Sequence, residues 1–368
     1  MRYGIIGVGA MGREHIQNLR VIDGAKVSAI CDPFQKSLDQ AATLIPNEVA
    51  RFNDHNALLA SGLVDAVILA TPNFTHVDIL EDALKTDLHI FIEKPLCTTV
   101  EDCLKVIDWA KNRTGLVWMG LEYRYMPPVA EAIDMAHDGK VGTIHQVAIR
   151  EHREPFYRKV GDWNRFAAKT GGTLVEKCCH YFNLMDEILQ ERPLRVFASG
   201  GQRVNFLDEV YEGNQSDMLD SAYVIVEYPS GARAMLDLCM FAENSIDKEH
   251  LTIIGAEGKI ESFLPSLEFR YGKRADLGAH DTWGTNASER NGVIVKRVYD
   301  PTIKYPGFHY GASFIEHKKF FQAMQTGEPS EVTLEDGLRS VATGVAAHRS
   351  IELGRPVLMT EVLPAGWN

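Results

Sequence analysis

The stretch Gly7-Val8-Gly9-Ala10-Met11-Gly12 decides how the first third of the chain is read. A GxGxxG pattern alone is weak, because glycine-rich turns are common. Its setting makes it specific: a short apolar run, residues 3–7, leads into it, and helical periodicity over residues 13–21 follows. A strand passing through such a turn into a helix is the context of a dinucleotide-binding loop. Gly7 permits the tight turn, Gly9 lets backbone N–H groups approach a pyrophosphate, and Gly12 allows the helix to pack closely on the strand. Val8, Ala10 and Met11 complete a loop whose N–H groups and helix dipole favour an anion.

Outward from this loop, strand-like and helix-like segments alternate. Residues 26–31 (KVSAIC), 65–70 (DAVILA), 89–93 (HIFIE) and 115–120 (GLVWMG) read as strands. Residues 37–44, 76–84 and 101–111 read as the helices between them. The continuous apolar run DAVILA fits a strand covered on both faces, as in a parallel sheet. The predicted fold is α/β, with an N-terminal doubly wound parallel sheet of the Rossmann type. After Tyr125 the character changes: Met126-Pro127-Pro128 interrupts, a helix over 129–137 follows, and alternation then dominates. Residues 145–151, 194–199, 222–228, 232–239 and 249–254 are expected to form one open, mostly antiparallel sheet, with Tyr228-Pro229-Ser230-Gly231 as a turn between two strands. Residues 171–188 read as one helix entered through a glycine pair, 278–292 as a loop, and 313–325 and 334–353 as closing helices. The expected division is a cofactor domain over 1–121 and a substrate domain over 122–368.

The 368 residues suffice for two domains of ordinary size. Hydrophobic residues make up 45% and charged residues 24%, the balance of a folded globular chain. A formal net charge of -12 repels phosphate backbones and anionic lipid, so nucleic acid and membrane are poor partners. No run approaches the roughly 20 apolar residues that span a bilayer. The N-terminus enters a strand with no room for a secretion signal. The six cysteines are scattered without a CxxC pair or zinc-like spacing. A cytoplasmic protein with reduced thiols is the expectation, and no metal is expected.

Several residues stand where chemistry is expected. Asp32 follows the second strand, where a carboxylate accepts hydrogen bonds from ribose hydroxyls and repels a 2′-phosphate. This favours NAD over NADP, although the same Asp also suits a turn before Pro33. Thr71, Pro72, Asn73 and His76 lie at the carboxyl end of the DAVILA strand. They either touch the cofactor or simply make the turn. Glu93-Lys94-Pro95 occupies the equivalent end of HIFIE, and an ammonium there would polarise a substrate hydroxyl or carbonyl. Glu176 and His180 are four residues apart, so a continuous helix would let the carboxylate orient the imidazole as a base.

These segments, together with Glu122-Tyr123-Arg124-Tyr125-Met126-Pro127, residues 171–183 and Gly255-Ala256-Glu257-Gly258, make the chain resemble the Gfo/Idh/MocA oxidoreductases. The resemblance covers nearly the whole chain. It implies NAD(P)-dependent oxidation of a secondary hydroxyl on a sugar, cyclitol or derivative. It also implies that Lys94 contacts cofactor and substrate, across what is often a cis Lys–Pro bond, with His180 as acid/base. The family's second domain is implied to form homodimers or homotetramers through its open sheet. The family commonly has Asp where this chain has Glu176, and Gly where it has Cys178, which puts pocket shape and substrate preference in question. Tyr123, Arg124, Arg153, Trp163 and His309 are candidate substrate-binding residues. A redox-neutral hydrolase or epimerase that recycles bound NAD is the alternative. A regulator without chemistry is a third reading, against which the retained Lys94 and His180 argue.

Overall fold

The strand Arg2–Ile6 (β1) lies at the middle of a six-stranded sheet, and it is there because its apolar side chains have cover on both faces. The computed structural model describes residues 1–274 and 292–367. The sheet adds Lys26–Cys31 (β2), Ala50–Phe52 (β3), Ala66–Leu69 (β4), His89–Glu93 (β5) and Val117–Gly120 (β6). Its order is β3-β2-β1-β4-β5-β6, and every pair is parallel. This is the doubly wound dinucleotide-binding order, whose switch point falls between β1 and β4. All four residues of β4 are buried, as its unbroken apolar run predicts. The connecting helices are Ala10–Leu19 (α1), Gln35–Ala42 (α2), His55–Leu59 (α3), His76–Ala83 (α4) and Val100–Ala110 (α5).

The glycine loop shows in atoms why these positions exclude side chains. Gly7 has φ +86°, and a Cβ there would lie 2.6 Å from the Ala70 carbonyl oxygen and 2.8 Å from Cγ2 of Thr71. A Cβ on Gly12 would lie 2.0 Å from the Gly7 carbonyl oxygen. Gly9 faces open space, with nothing within 4 Å of its would-be Cβ. Two glycines thus close the turn, and the third leaves room above it. Gly12→Ala is expected to cost about 1–3 kcal/mol through this backbone clash. Thermal unfolding checks it, and an unchanged midpoint would count against the packing argument.

The chain divides into two compact units, each assembled from several stretches, whereas the sequence reading divides it once. The first holds Met1–Tyr125, Val160–Asn183 and Pro301–Val345. The second holds Met126–Lys159, Leu184–Asp300 and Ala346–Asn368. In the second unit the strands are Ile144–His152 (β7), Arg195–Gly201 (β8), Ser221–Glu227 (β11), Arg233–Cys239 (β12), Glu249–Gly255 (β13), Gly258–Leu264 (β14), Glu268–Lys273 (β15), Ile294–Arg297 (β16) and Val357–Leu358 (β17). They form a nine-stranded sheet in the order β16-β15-β14-β13-β7-β12-β11-β8-β17, with Val210–Tyr211 (β9) and Asn214–Gln215 (β10) as a separate ribbon. Pairing is antiparallel except between β12 and β7. The Tyr228–Gly231 turn joins β11 to β12, with Gly231 at φ +88°. The helix Pro127–His137 (α6) packs on β13 and β14. Burial alternates along β8 and β11, and their outward face exposes Phe197, Tyr223 and Ile225.

The largest departure from the sequence reading lies over 171–188. In place of one helix, Ala167–Thr170 (α7), Thr173–Glu176 (α8) and Cys179–Leu189 (α9) follow one another, broken at Lys177 and Cys178. Helices Ala312–Thr326 (α10) and Leu334–Leu353 (α11) match their predicted spans closely. The loop expected over 278–292 falls almost wholly outside the described residues. Among the described residues no helix is long and apolar enough to cross a membrane.

Candidate active site

The site is built within the first unit, at the carboxyl ends of β1, β4 and β5. The cofactor loop comes first. Val8 N donates to Asp32 Oδ2 at 3.0 Å and Phe34 N donates to Oδ1 at 2.9 Å, so the carboxylate is held beside the glycine turn. Each carboxylate oxygen keeps a lone pair for a further donor such as a ribose hydroxyl. The backbone of the Gly9 N-cap carries no side-chain cap, and the open space above it is what a pyrophosphate would occupy. The residues present therefore fit a dinucleotide.

Lys94 follows β5 and precedes a cis peptide bond to Pro95. Its Nζ donates to the Glu176 carbonyl oxygen at 3.1 Å. That carbonyl ends α8, so the break after Glu176 exposes an acceptor that the ammonium takes. Burial works against the ammonium, but Glu176, Cys179, Glu93 and Glu122 outweigh it and hold its pKa above the ordinary lysine value.

His180, in the first turn of α9, is buried. Its ring stacks on Tyr123 at a centroid distance of 3.9 Å and an angle of 7°. Its Nδ1 lies 3.8 Å from Oε2 of Glu122. The break between α8 and α9 removes the helical register in which Glu176 and His180 would face each other. The Glu176 carboxylate instead accepts a short hydrogen bond from Nδ2 of Asn73, which also donates to the Thr170 carbonyl at 3.2 Å. Burial, with Lys94, Lys177 and His309 nearby, pushes the imidazole pKa well below its ordinary value, so the ring is neutral and able to accept a proton.

Two expected cofactor residues serve underneath instead. His76 is fully buried, and its ring nitrogens reach the carbonyls of Pro95 at 2.9 Å, Leu96 at 3.3 Å and Thr71 at 3.2 Å, tying the β4 and β5 loops together. Glu93 Oε1 lies 2.9 Å from Nε2 of His15, whose Nδ1 is 2.8 Å from Nε2 of His317. Thr71 stays at the loop surface, with its hydroxyl accepting from Thr75 at 2.9 Å, and Pro72 precedes the single turn Asn73–Thr75.

The candidate substrate residues separate. Tyr123 and His309 join His180: their rings lie 5.5 Å apart, and His309 Nδ1 is 3.2 Å from Oε1 of Glu122. Arg124 is buried and donates to Oδ1 of Asn183 at 2.9 Å. Trp163 packs edge-on against Phe74 at 6.4 Å. Arg153 belongs to the second unit, near Glu151 at 3.4 Å and Glu154 at 3.5 Å. The sequence reading gave no role to Glu122 or Lys177. Lys177 is buried, donates to the Tyr123 hydroxyl and lies 4.7 Å over that ring. Their one sequence signal is a charge set among aromatic or apolar neighbours.

Residues 1–121 match the model of an oxidoreductase family with an NAD-binding Rossmann fold, and residues 133–359 match that family's C-terminal alpha/beta domain. The chain is 27% identical to a myo-inositol 2-dehydrogenase of Thermotoga maritima, covering 99% of this chain and 100% of that protein. It is 26% identical to a 2,7-anhydro-N-acetylneuraminate hydratase of Escherichia coli, covering 99% and 98%. Among solved structures, an Agrobacterium radiobacter oxidoreductase in complex with NAD+, L-tartaric acid and magnesium superposes with a TM-score of 0.80 at 18% identity, over 99% of each chain. With both domain models matched in order over nearly its whole length, the chain belongs to the Gfo/Idh/MocA family of NAD-binding oxidoreductases.

Proposed function

We propose that the protein oxidises a secondary hydroxyl of a sugar, cyclitol or sugar derivative with NAD, or reduces the corresponding ketone. The observation that carries this reading is the fixed ammonium of Lys94, at the end of β5, with the neutral His180 stacked on Tyr123 and within reach of its charge. NAD, held by the glycine loop and Asp32, would supply the acceptor for the hydride of the carbinol carbon. Lys94 stabilises the negative charge that develops on the substrate oxygen, an electrostatic contribution that grows as water is excluded. His180 accepts the hydroxyl proton, its ring plane fixed by Tyr123. Glu176 holds Asn73 and thereby ties the turn after β4 to the end of α8. The polyol class follows from the names of the relatives and suits a site rich in charged groups. Purified protein with free NAD and a panel of polyols, myo-inositol included, provides the test. Steady NADH accumulation supports the reading, and its absence with every polyol overturns it.

A second reading rests on the hydratase among the relatives, which is nearly as similar as the inositol dehydrogenase. In it the hydride returns to the substrate after a neighbouring bond has been labilised. Product formation without NADH accumulation distinguishes this cycle from net oxidation.

The cofactor preference rests on Asp32. Asp32→Ala is expected to weaken NAD binding about tenfold through lost ribose hydrogen bonds while leaving NADP binding equal or tighter. Titration of both nucleotides against both proteins measures this, and wild-type preference for NADP would overturn it. We further propose that residues 122–368 carry substrate specificity, and that the exposed Phe197–Tyr223–Ile225 face joins subunits in a homodimer or homotetramer.

A further inference from the structure

A buried base that takes a proton in every turnover must also lose it. His180 is 2% exposed and Glu122 2% exposed. Glu122 lies between two imidazoles: Oε2 is 3.8 Å from His180 Nδ1, and Oε1 is 3.2 Å from His309 Nδ1. The His309 side chain is 20% exposed, so this line of groups runs from the buried base to a ring that water reaches. The turn carrying His309 is anchored from below, where buried Glu14 accepts from Phe308 N at 3.0 Å and from the Tyr305 hydroxyl at 3.1 Å. Neither carboxylate oxygen of Glu122 has an aligned hydrogen-bond partner among the described residues. A buried carboxyl kept without such partners is costly for stability alone.

We propose that Glu122 and His309 form the proton exit of the enzyme, carrying the proton from His180 to solvent. The inference rests on His180 being the base in the proposed oxidation. The balance is simple. The hydroxyl proton goes to one ring nitrogen of His180, and the proton on Nδ1 passes to Oε2 of Glu122. The proton on Oε1 passes to Nδ1 of His309, and His309 releases one from its other nitrogen to water. One proton leaves for each hydride removed, as alcohol oxidation requires. The 3.8 Å separation must shorten for the transfer, as is common when catalytic contacts tighten around a bound substrate.

The surroundings of Glu122 suit a carboxyl that holds a proton near neutrality. Burial and the neighbouring Glu93 push its pKa up to about 8, against the pull of Lys94 and Lys177. His180, His309, Glu316 and Cys179 are further titratable groups around it.

The test begins without substrate. Protein carrying isotope-labelled histidine is titrated by NMR as wild type and as Glu122→Gln. The His309 ring is expected to follow two pH steps in wild type, because imidazole and carboxyl share protons, and one step in the variant. Identical titrations overturn the relay. With a polyol that yields NADH, Glu122→Gln is expected to lower kcat about tenfold or more. The solvent deuterium isotope effect should rise, and the effect of deuterium at the carbinol carbon should shrink, because proton departure then limits turnover. His309→Ala is expected to behave alike and to recover in imidazole buffer. Lost activity with an unchanged carbinol isotope effect and no response to imidazole overturns the proposal, since that pattern marks a residue that only shapes the site. If Glu122→Gln fails to fold, His309→Ala at its partly exposed position decides by the same isotope and buffer criteria, and by whether the His180 titration changes. Absence of NADH with every polyol counts against the dehydrogenase reading alone and leaves the NMR result to decide the relay.

Discussion

Lys94→Met is expected to lower kcat for polyol oxidation by about 10²–10³-fold, the loss that follows when a preorganised cation is removed from a developing alkoxide. Methionine keeps most of the length of the side chain and removes the charge together with its N–H donors. The effect cannot be imitated by moderate alkalinity, because Glu176, Glu93 and Glu122 keep the lysine protonated well beyond its usual range. The same substitution leaves those carboxylates without their shared cation and takes the ammonium from the Glu176 carbonyl, so the thermal midpoint is expected to fall as well. Calorimetry separates the two losses: NAD binding within a few-fold of wild type, with kcat collapsed, locates the defect in the chemical step. A variant that keeps kcat within tenfold would remove Lys94 from the mechanism.

His180→Asn is expected to produce a loss of similar size, about 10²–10⁴-fold in kcat, the usual contribution of a positioned general base. The pH profile adds a signed prediction. Burial, Lys94, Lys177 and His309 all penalise the imidazolium, so the folded-state pKa is lowered and the neutral base persists as pH falls past 6.5. The acid limb of kcat therefore lies below the ordinary histidine value. Lys177→Met removes one of the opposing cations and should move that limb upward. NADH formation across a pH series reads both, and a wild-type limb at or above 6.5 would show that the base is another group.

Five of the six strands of the first sheet were legible in the sequence because two-sided burial writes itself as unbroken apolar runs, as in β4 and β5. The three-residue β3 is too short for such a signal, and β16 is exposed at all four positions and so shows no alternation. Within the site, the positions of Asp32 and Lys94 were legible because each directly follows a strand. The break at Lys177 and Cys178 was not. Neither residue disfavours a helix in the way Gly or Pro does, and the break is matched by a distant partner, the Lys94 ammonium on the Glu176 carbonyl. With the helix continuous, Glu176 would face His180, whereas the broken chain turns its carboxylate to Asn73 and leaves Glu122 beside the imidazole. Contacts of this kind join residues far apart in the chain, and local pattern does not carry them.

The hydrogen bond from Lys94 to a main-chain carbonyl has a consequence for substitution. A side-chain acceptor can be shortened, lengthened or deleted by a single codon change, and the ammonium would move with it. A peptide oxygen is present whatever residue occupies position 176. The acidic residue there is thus free to change in length, and with it the contact to Asn73, without removing the carbonyl that holds the Lys94 ammonium.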